Sequence, residues 1–257
     1  MKTISVLLVE DHVVVREGLK ALLSAEPDIV VLGEAADGRE AVQMAQQLRP
    51  DVIVMDLAMP QLNGVEATRQ IIDAGVPSKV LVLSSYADGE YVEQLTEAGA
   101  SGYLIKQTAA DNLIKAVREA SNGNSFFSQA ISKRFQDSGR AASGNGQAPK
   151  QRGGEMTGRG REVLQLVAEG HPNKQIAVIL GISIKTVEKH RQHLMNSLGI
   201  HDTAGLTRYA IAHGIVEGRE RFGRGGRNAD LTQRDPGPLG QVPGLATASE
   251  CQQATPP

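Results

Sequence analysis

Residues 52–64 read VIVMDLAMPQLNG: four apolar residues, an aspartate, then a loop carrying Pro60 and closed by Gly64. The apolar run 52–55 does not alternate with polar residues. Such a run suits a parallel strand covered on both faces, and Asp56 then falls where the strand ends. Four more runs of this kind occur, at Ile4–Val9, 29–32, 80–83 and Gly102–Ile105. Helical spacing fills the gaps between them. Val15, Leu19, Leu22 and Leu23 make one stripe. Val42, Ala45 and Leu48 make a second, opened by Asp37 as N-cap with Glu40 three residues on. Thr68, Ile71 and Ile72 belong to a third, Val92 and Leu95 to a fourth. Leu113, Ile114 and Val117 belong to a fifth, capped by Thr108. Strands and helices that alternate in this way predict an α/β fold, a doubly wound five-stranded parallel sheet with right-handed crossovers.

The rest of the chain is organised differently. Its 257 residues suggest two domains at roughly 150 residues each. With no tryptophan, four tyrosines and four phenylalanines, the cores must be aliphatic. The single cysteine, Cys251, excludes an internal disulfide framework and a cysteine zinc site and fits a reducing, cytoplasmic compartment. The first apolar run meets Glu10 and Asp11, far short of the roughly 18 apolar residues of a membrane span, and no cleavage signal follows it. No membrane partner is expected. Residues 1–120 hold 10 Lys and Arg against 18 Asp and Glu, whereas 151–217 hold 8 against 6 together with five of the six histidines. The acidic half suits cations; the mildly basic half permits nucleic acid without demanding it. Residues 138–154, rich in Gly, Ser and Ala, read as a flexible linker, and residues 218–257 as a disordered tail.

In an open parallel sheet, ligands bind beyond the carboxyl ends of the strands, where strand order switches. Glu10 and Asp11 follow the first strand, Asp56 ends the third, Ser84 the fourth and Lys106 the fifth. Crowded carboxylates need a cation, and Mg²⁺ takes oxygen ligands from one or two carboxylates plus a phosphoryl group. A carboxylate can also form an acyl phosphate. Lys106 would then neutralise the phosphoryl oxygens and Ser84 would donate to them. Taken singly, each residue could equally be a solvated strand-end cap; the five in this order argue for one pocket.

From Thr157 to about residue 217 only helical periodicity appears. One helix around 162–168 ends at Gly170, and a second, Asn173–Leu180, ends at Gly181. Ser183 caps a third that runs to about Leu198. Two helices joined by a short turn containing Gly make a helix-turn-helix. Projected at about 100° per residue, Ile184, Val187, Leu194 and Leu198 form the packing face of the third helix. Lys185, Lys189, Gln192 and Asn196 lie opposite, with Thr186 at its start and Lys174 opening the preceding helix. Cations and amides read phosphates and base edges, although a solvated helix face can look the same. Glu188 beside the cations argues mildly against DNA. His190 and His193 lack the further ligands a metal site needs.

The segments VLLVEDHVVVREGL, DVIVMDLAMPQLNGVEA, VLVLSSYAD and GASGYLIK resemble the receiver domain of bacterial response regulators, a flavodoxin-like fold, over about residues 3–122. That resemblance implies Asp56 as phosphoacceptor and Glu10, Asp11 and Asp56 as Mg²⁺ ligands, with the Ala58 carbonyl. It implies Ser84 as the hydroxyl that follows the phosphoryl group and Tyr103 as the switching aromatic, though a tyrosine there could also just fill space. Gln107 stands where many receivers have proline. Residues 156–217 resemble the DNA-binding domain of the NarL/FixJ, LuxR-type class, which implies four helices, the third for recognition and a fourth, at 204–212, for dimerisation. Gly158 and Gly160 stand where proline and glutamate are usual, and Pro172 replaces a small hydroxyl residue. The loss of the capping box from Thr157 is expected to fray the first helix.

The domains expected are therefore a receiver at 1–122, a linker at 123–154, a helix-turn-helix domain at 155–217 and the tail at 218–257. The chain reads as a transcriptional regulator and not an enzyme, phosphorylated by a sensor histidine kinase and binding double-stranded DNA as a homodimer once phosphorylated. Its signal would pass through the fourth helix, fifth strand and fifth helix. Before phosphorylation the receiver would cover the reading face or hold two copies apart. A haloacid-dehalogenase-type phosphatase would need an acid two residues after Asp56, where Ala58 stands, and no P-loop segment exists. The remaining alternative is a receiver-containing interaction module without DNA binding.

Overall fold

The computed structural model describes residues 3–85, 89–127 and 156–216. Its first part alternates β1 (Ile4–Val9), α1 (Val13–Ser24), β2 (Ile29–Ala35), α2 (Gly38–Leu48), β3 (Val52–Asp56), α3 (Gly64–Asp73), β4 (Lys79–Ser84), α4 (Gly89–Glu97), β5 (Gly102–Ile105) and α5 (Ala109–Ser121). Asp37 caps α2 by accepting from the amides of Arg39 and Glu40, while Glu40 Oε2 accepts from the Ala36 amide at 2.8 Å. Glu40 thus reaches one residue further back than in a strict capping box.

The strands are all parallel, in the order β2-β1-β3-β4-β5-β6. Successive side chains point to opposite faces of a sheet, so each apolar run feeds two cores. Leu7, Val9, Ile53, Met55, Val80, Val82 and Tyr103 pack with α2, α3 and α4. Val6, Leu8, Val52, Val54, Leu81, Leu83 and Leu104 pack with α1 and α5. Because both faces are covered, residues 52–55 show no alternation.

The sheet has six strands, not the expected five. Its sixth, β6 (Phe126–Phe127), pairs in parallel with β5 and lies inside the stretch assigned above to a linker beginning at residue 123. Two residues are too short for a periodic signal. Gly102 makes the pairing possible: a Cβ there would stand 2.5 Å from the Phe126 carbonyl oxygen and 2.6 Å from Leu81 Cδ2. Residues 138–154 and 218–257, called linker and tail above, lie outside the described residues, as does the side chain of Thr108.

The second part holds α6 (Gly158–Ala168), α7 (Asn173–Leu180), α8 (Ile184–Leu198) and α9 (Thr203–Ala212). Gly181 and Gly199 end α7 and α8 in the left-handed region, with φ of 62° and 64°, which glycine adopts without Cβ strain. Ser183 caps α8 by accepting from the Thr186 amide. Val163, Leu166, Ile176, Leu180, Val187, Leu194 and Leu206 build the core. Val187 and Leu194 are buried as projected, but Ile184 is exposed; it opens the helix one turn before the packing begins.

Candidate functional site

Strand order reverses between β1 and β3, as β2 flanks β1 on one side and β3 to β6 follow on the other. The residues that leave these two strands therefore share one rim. Glu10, fully buried, follows β1, and Asp56, 2% exposed, ends β3. Lys106, just past β5, spans them, with Nζ 2.8 Å from Glu10 Oε2 and 2.9 Å from Asp56 Oδ1. Ligand atoms of Glu10, Asp11, His12 and Asp56 all lie within 4.8 Å of one another. Buried Ser84 ends β4 opposite Ile105, the residue before Lys106. The structure thus brings the three carboxylates and the lysine together, with Ser84 on the same strand-end rim.

This crowding sets the charge states. Burial, then the nearby Glu10 charge, pushes the Asp56 carboxyl up to about 6 in spite of Lys106. Burial opposes the charge on Lys106, but Asp56 and Glu10 outweigh it and the ammonium titrates above its ordinary range. Tyr103 is 1% exposed and is one of the largest fully buried side chains. It fills the core on the α2–α4 side of the sheet and is not at an edge, because β6 covers β5.

Two contributors escaped the sequence reading. His12 Nδ1 lies 2.7 Å from Asp11 Oδ1 and 3.3 Å from Glu10 Oε1, and the Asp11 charge raises its pKa above the ordinary value. Arg16, one turn into α1, donates from Nη1 to the Glu10 carbonyl oxygen. The only available signal was their nearness in sequence to Glu10 and Asp11.

At the other site, Lys174, Lys185, Lys189, Gln192 and Asn196 are all exposed. Gln192 Nε2 donates to Asn196 Oδ1 at 2.9 Å, so these two amides form a pair along the free face of α8. Thr186 is half-buried, and its hydroxyl lies 2.8 Å from the Ser183 hydroxyl inside the helix cap. Arg191, which the sequence reading passed over, donates to Asn173 Oδ1 and Thr203 Oγ1, both at 2.9 Å. It ties α8 to the starts of α7 and α9.

Known proteins share both parts. Residues 6–118 match the response regulator receiver domain model, and residues 155–210 match the model of bacterial regulatory proteins of the luxR family. The transcriptional regulatory protein LiaR of Bacillus subtilis is 40% identical over 213 residues, covering 83% of this chain and 99% of LiaR. The chain belongs to the LuxR family of response regulators. The response regulator VraR of Staphylococcus aureus is 37% identical over 216 residues, 84% of this chain and all of VraR. A LuxR-family response regulator from Aurantimonas matches 54% of this chain and 99% of its own, at 32% identity and a TM-score of 0.52. A Salmonella typhimurium RcsB structure covers 83% of this chain and 99% of its own with a TM-score of 0.56 at 23% identity, a likeness of fold.

As a family member, the chain is a phosphorylation-controlled, DNA-binding transcriptional regulator of a two-component system. Its departures from the family pattern have structural consequences. Thr157 still caps α6, its hydroxyl oxygen accepting from the Gly160 amide at 3.1 Å, so the helix starts at Gly158; Gly160 has no side chain to return a bond. Pro172 leaves α7 without a side-chain cap.

The DNA-binding half is also seated on the receiver, where it leaves the reading face open. The contact runs through α6, not α8. Arg39 pairs with Glu162, Gln70 Nε2 donates to Glu162 Oε1 at 3.2 Å, and Asn63 Nδ2 donates to the Ile215 carbonyl. Of the two arrangements expected before phosphorylation, a receiver covering the reading face is not the one seen among the described residues, because Lys185, Lys189, Gln192 and Asn196 are exposed while α6 makes the contact. Among the described residues, the hydrogen bonds and ion pairs of this contact fall on the receiver at α2, α3 and the loop between β3 and α3.

Proposed function

We propose that Asp56 accepts the phosphoryl group of a sensor histidine kinase. One Asp56 carboxylate oxygen attacks phosphorus; the new P–O bond forms as the P–N bond to the donor imidazole breaks, and the imidazole leaves with that electron pair. The observation that carries this reading is the ion-pair cluster: three carboxylates share the rim with the ammonium of Lys106, which lies 2.8 Å from Glu10 and 2.9 Å from Asp56. Lys106, 2.9 Å from Asp56 Oδ1, would pair with the incoming phosphoryl oxygens. Ser84, at the end of β4, would donate to the same oxygens.

The donor set fits a hard divalent cation. Glu10, Asp11 and Asp56 each offer an oxygen, all within 4.8 Å of one another, and Asp11 Oδ1 is a buried atom with only His12 Nδ1 beside it, at 2.7 Å, among the described contacts. These three, with the Ala58 carbonyl that the family resemblance adds, would hold Mg²⁺, which when bound neutralises charge on the transferring group. In the acyl phosphate state Ser84 and Tyr103 would follow the phosphoryl group and alter the surface.

We assign residues 1–122 to the receiver and 155–217 to the DNA-binding domain. Lys174, Lys185, Thr186, Lys189, Gln192 and Asn196 would contact double-stranded DNA in the major groove, and α9, with Ile211 exposed, would pair two copies. Among the described residues no helix is long and apolar enough to cross a membrane, and we place the protein in the cytoplasm with its kinase and its DNA. Asp56→Asn replaces the nucleophile with an amide and is expected to abolish Mg²⁺-dependent, acid-labile labelling by acetyl phosphate. Equal labelling of the variant would overturn the assignment.

A further inference from the structure

The loop of residues 57–63 joins Asp56 to α3, and two side chains of the DNA-binding domain grip its backbone. Gln165, on α6 and 2% exposed, donates from Nε2 to the Met59 carbonyl at 2.9 Å, and its Oε1 accepts from the Asn63 amide at 2.9 Å. One primary amide therefore bridges two points of the loop. Glu169, one turn later, accepts from the Gln61 amide, at 3.0 Å to Oε1 and 3.2 Å to Oε2, and from Gln165 Nε2 at 2.8 Å. Gln61 has φ of 65°, a left-handed conformation that residues with a Cβ rarely adopt. A charge-assisted bond to its amide helps to hold it there.

The loop is tightly joined to the phosphoacceptor. A Cβ at Gly64 would lie 2.3 Å from the Asp56 carbonyl oxygen, and the Gly64 amide donates to the Leu57 carbonyl at 2.8 Å. Ala58, whose carbonyl belongs to the cation site proposed above, is the neighbour of Met59. Around the grip the two domains fit closely. A Cβ at Gly158 would come within 2.6 Å of Glu66 Oε1, so glycine in the first turn of α6 makes room for this receiver carboxylate. Arg161 approaches the same group at 3.8 Å.

We propose that Gln165 and Glu169 are positioning residues for the phosphoacceptor loop: by clamping the Met59 carbonyl and the Gln61 and Asn63 amides they hold it in its unphosphorylated geometry, so the seated DNA-binding domain slows phosphorylation of Asp56. The grip favours the unphosphorylated loop geometry, and an equilibrium preference of this kind is reciprocal in free energy. Phosphorylation therefore weakens the grip and frees α6, without any need to uncover α8, which is already open. The inference rests on the reading of Asp56 as phosphoacceptor.

The test uses the full-length chain, with phosphoramidate as donor at saturating Mg²⁺; its P–N bond breaks, ammonia leaves, and the P–O bond to Asp56 forms. Gln165→Ala should phosphorylate at least threefold faster than the parent, with Gln61 and Asn63 amide exchange accelerated. The isosteric Gln165→Glu keeps the volume but presents a carboxylate to the Met59 carbonyl, and should show the same direction with an unchanged melting temperature. In the parent, phosphorylation should itself speed exchange at those two amides and along α6. If either variant exchanges faster at Gln61 and Asn63 yet phosphorylates at the parental rate, the loop is not coupled and the proposal fails. If those amides exchange at the parental rate in both variants, the side-chain grip does not exist and the proposal fails equally. Asp56→Asn, run alongside, separates the two readings: residual labelling there overturns the phosphoacceptor assignment and not the grip.

Discussion

At the residue scale, the most informative quantity is the raised pKa of Asp56. Burial moves it from 3.8 to about 6. An acid whose folded pKa lies above its unfolded value adds stability that is full below the unfolded value and is lost as pH rises through the folded one. In metal-free protein above pH 6, the ionised Asp56 therefore works against folding. With a chelator present, Asp56→Asn should raise stability at pH 7–8 by about 1–3 kcal/mol, and the gain should vanish near pH 4. Denaturant melts of both proteins across that range check it; a gain independent of pH would point to packing instead of charge. Gly64 is a second case. Its missing Cβ would sit 2.3 Å from backbone, which no rotamer change relieves. Gly64→Ala should cost about 1–3 kcal/mol and slow phosphorylation. Thermal melts and labelling rates measure the two effects, and a neutral variant would mean that the loop yields freely.

At the scale of an element, α8 carries two kinds of group, and substitutions should separate them. Gln192 is already paired with Asn196, which holds its amide in one direction and leaves its oxygen to accept. If it reads an adenine edge, Gln192→Ala should cost about 1–3 kcal/mol and relax preference at one base. Lys189→Ala should weaken all sequences alike and reduce the salt slope by about one unit. Fluorescence titrations at several salt concentrations distinguish these outcomes, and identical behaviour of the two variants would dismiss base reading by Gln192.

At the scale of the whole molecule, α6 joins the two domains and α8 stands free. The fragment 150–217 has its own core, built from α6 to α9, and should bind DNA without phosphorylation. In the full chain, phosphorylation should raise affinity by favouring a two-fold dimer on half-sites about one helical turn, roughly 10 base pairs, apart. Mobility shifts with spacers lengthened by half a turn test the geometry; equal affinity at both spacings would exclude a fixed dimer. A folded fragment that fails to bind DNA at low salt would leave an interaction module as the better account.

The strand-end pocket was legible before any coordinates. Unbroken apolar runs such as 52–55 imply parallel strands, and parallel strands deliver Glu10, Asp56, Ser84 and Lys106 to one rim whatever the details of packing. Three of the four helices of the second half were legible for a similar reason, since Gly181, Ser183 and the apolar period act locally; the fourth rested on the family resemblance. Two features were not. β6 is two residues long, and its pairing depends on the open space beside Gly102. The seat of α6 depends on Gln165, Glu169 and Glu162, polar residues that local pattern assigns to a solvated face. Beside local pairs such as Gln165 with Glu169, they meet partners about 100 residues away along the chain, such as Asn63 and Met59. Periodicity records how a segment meets its own neighbours; a buried polar side chain whose hydrogen-bond partner lies in another domain leaves no period to read.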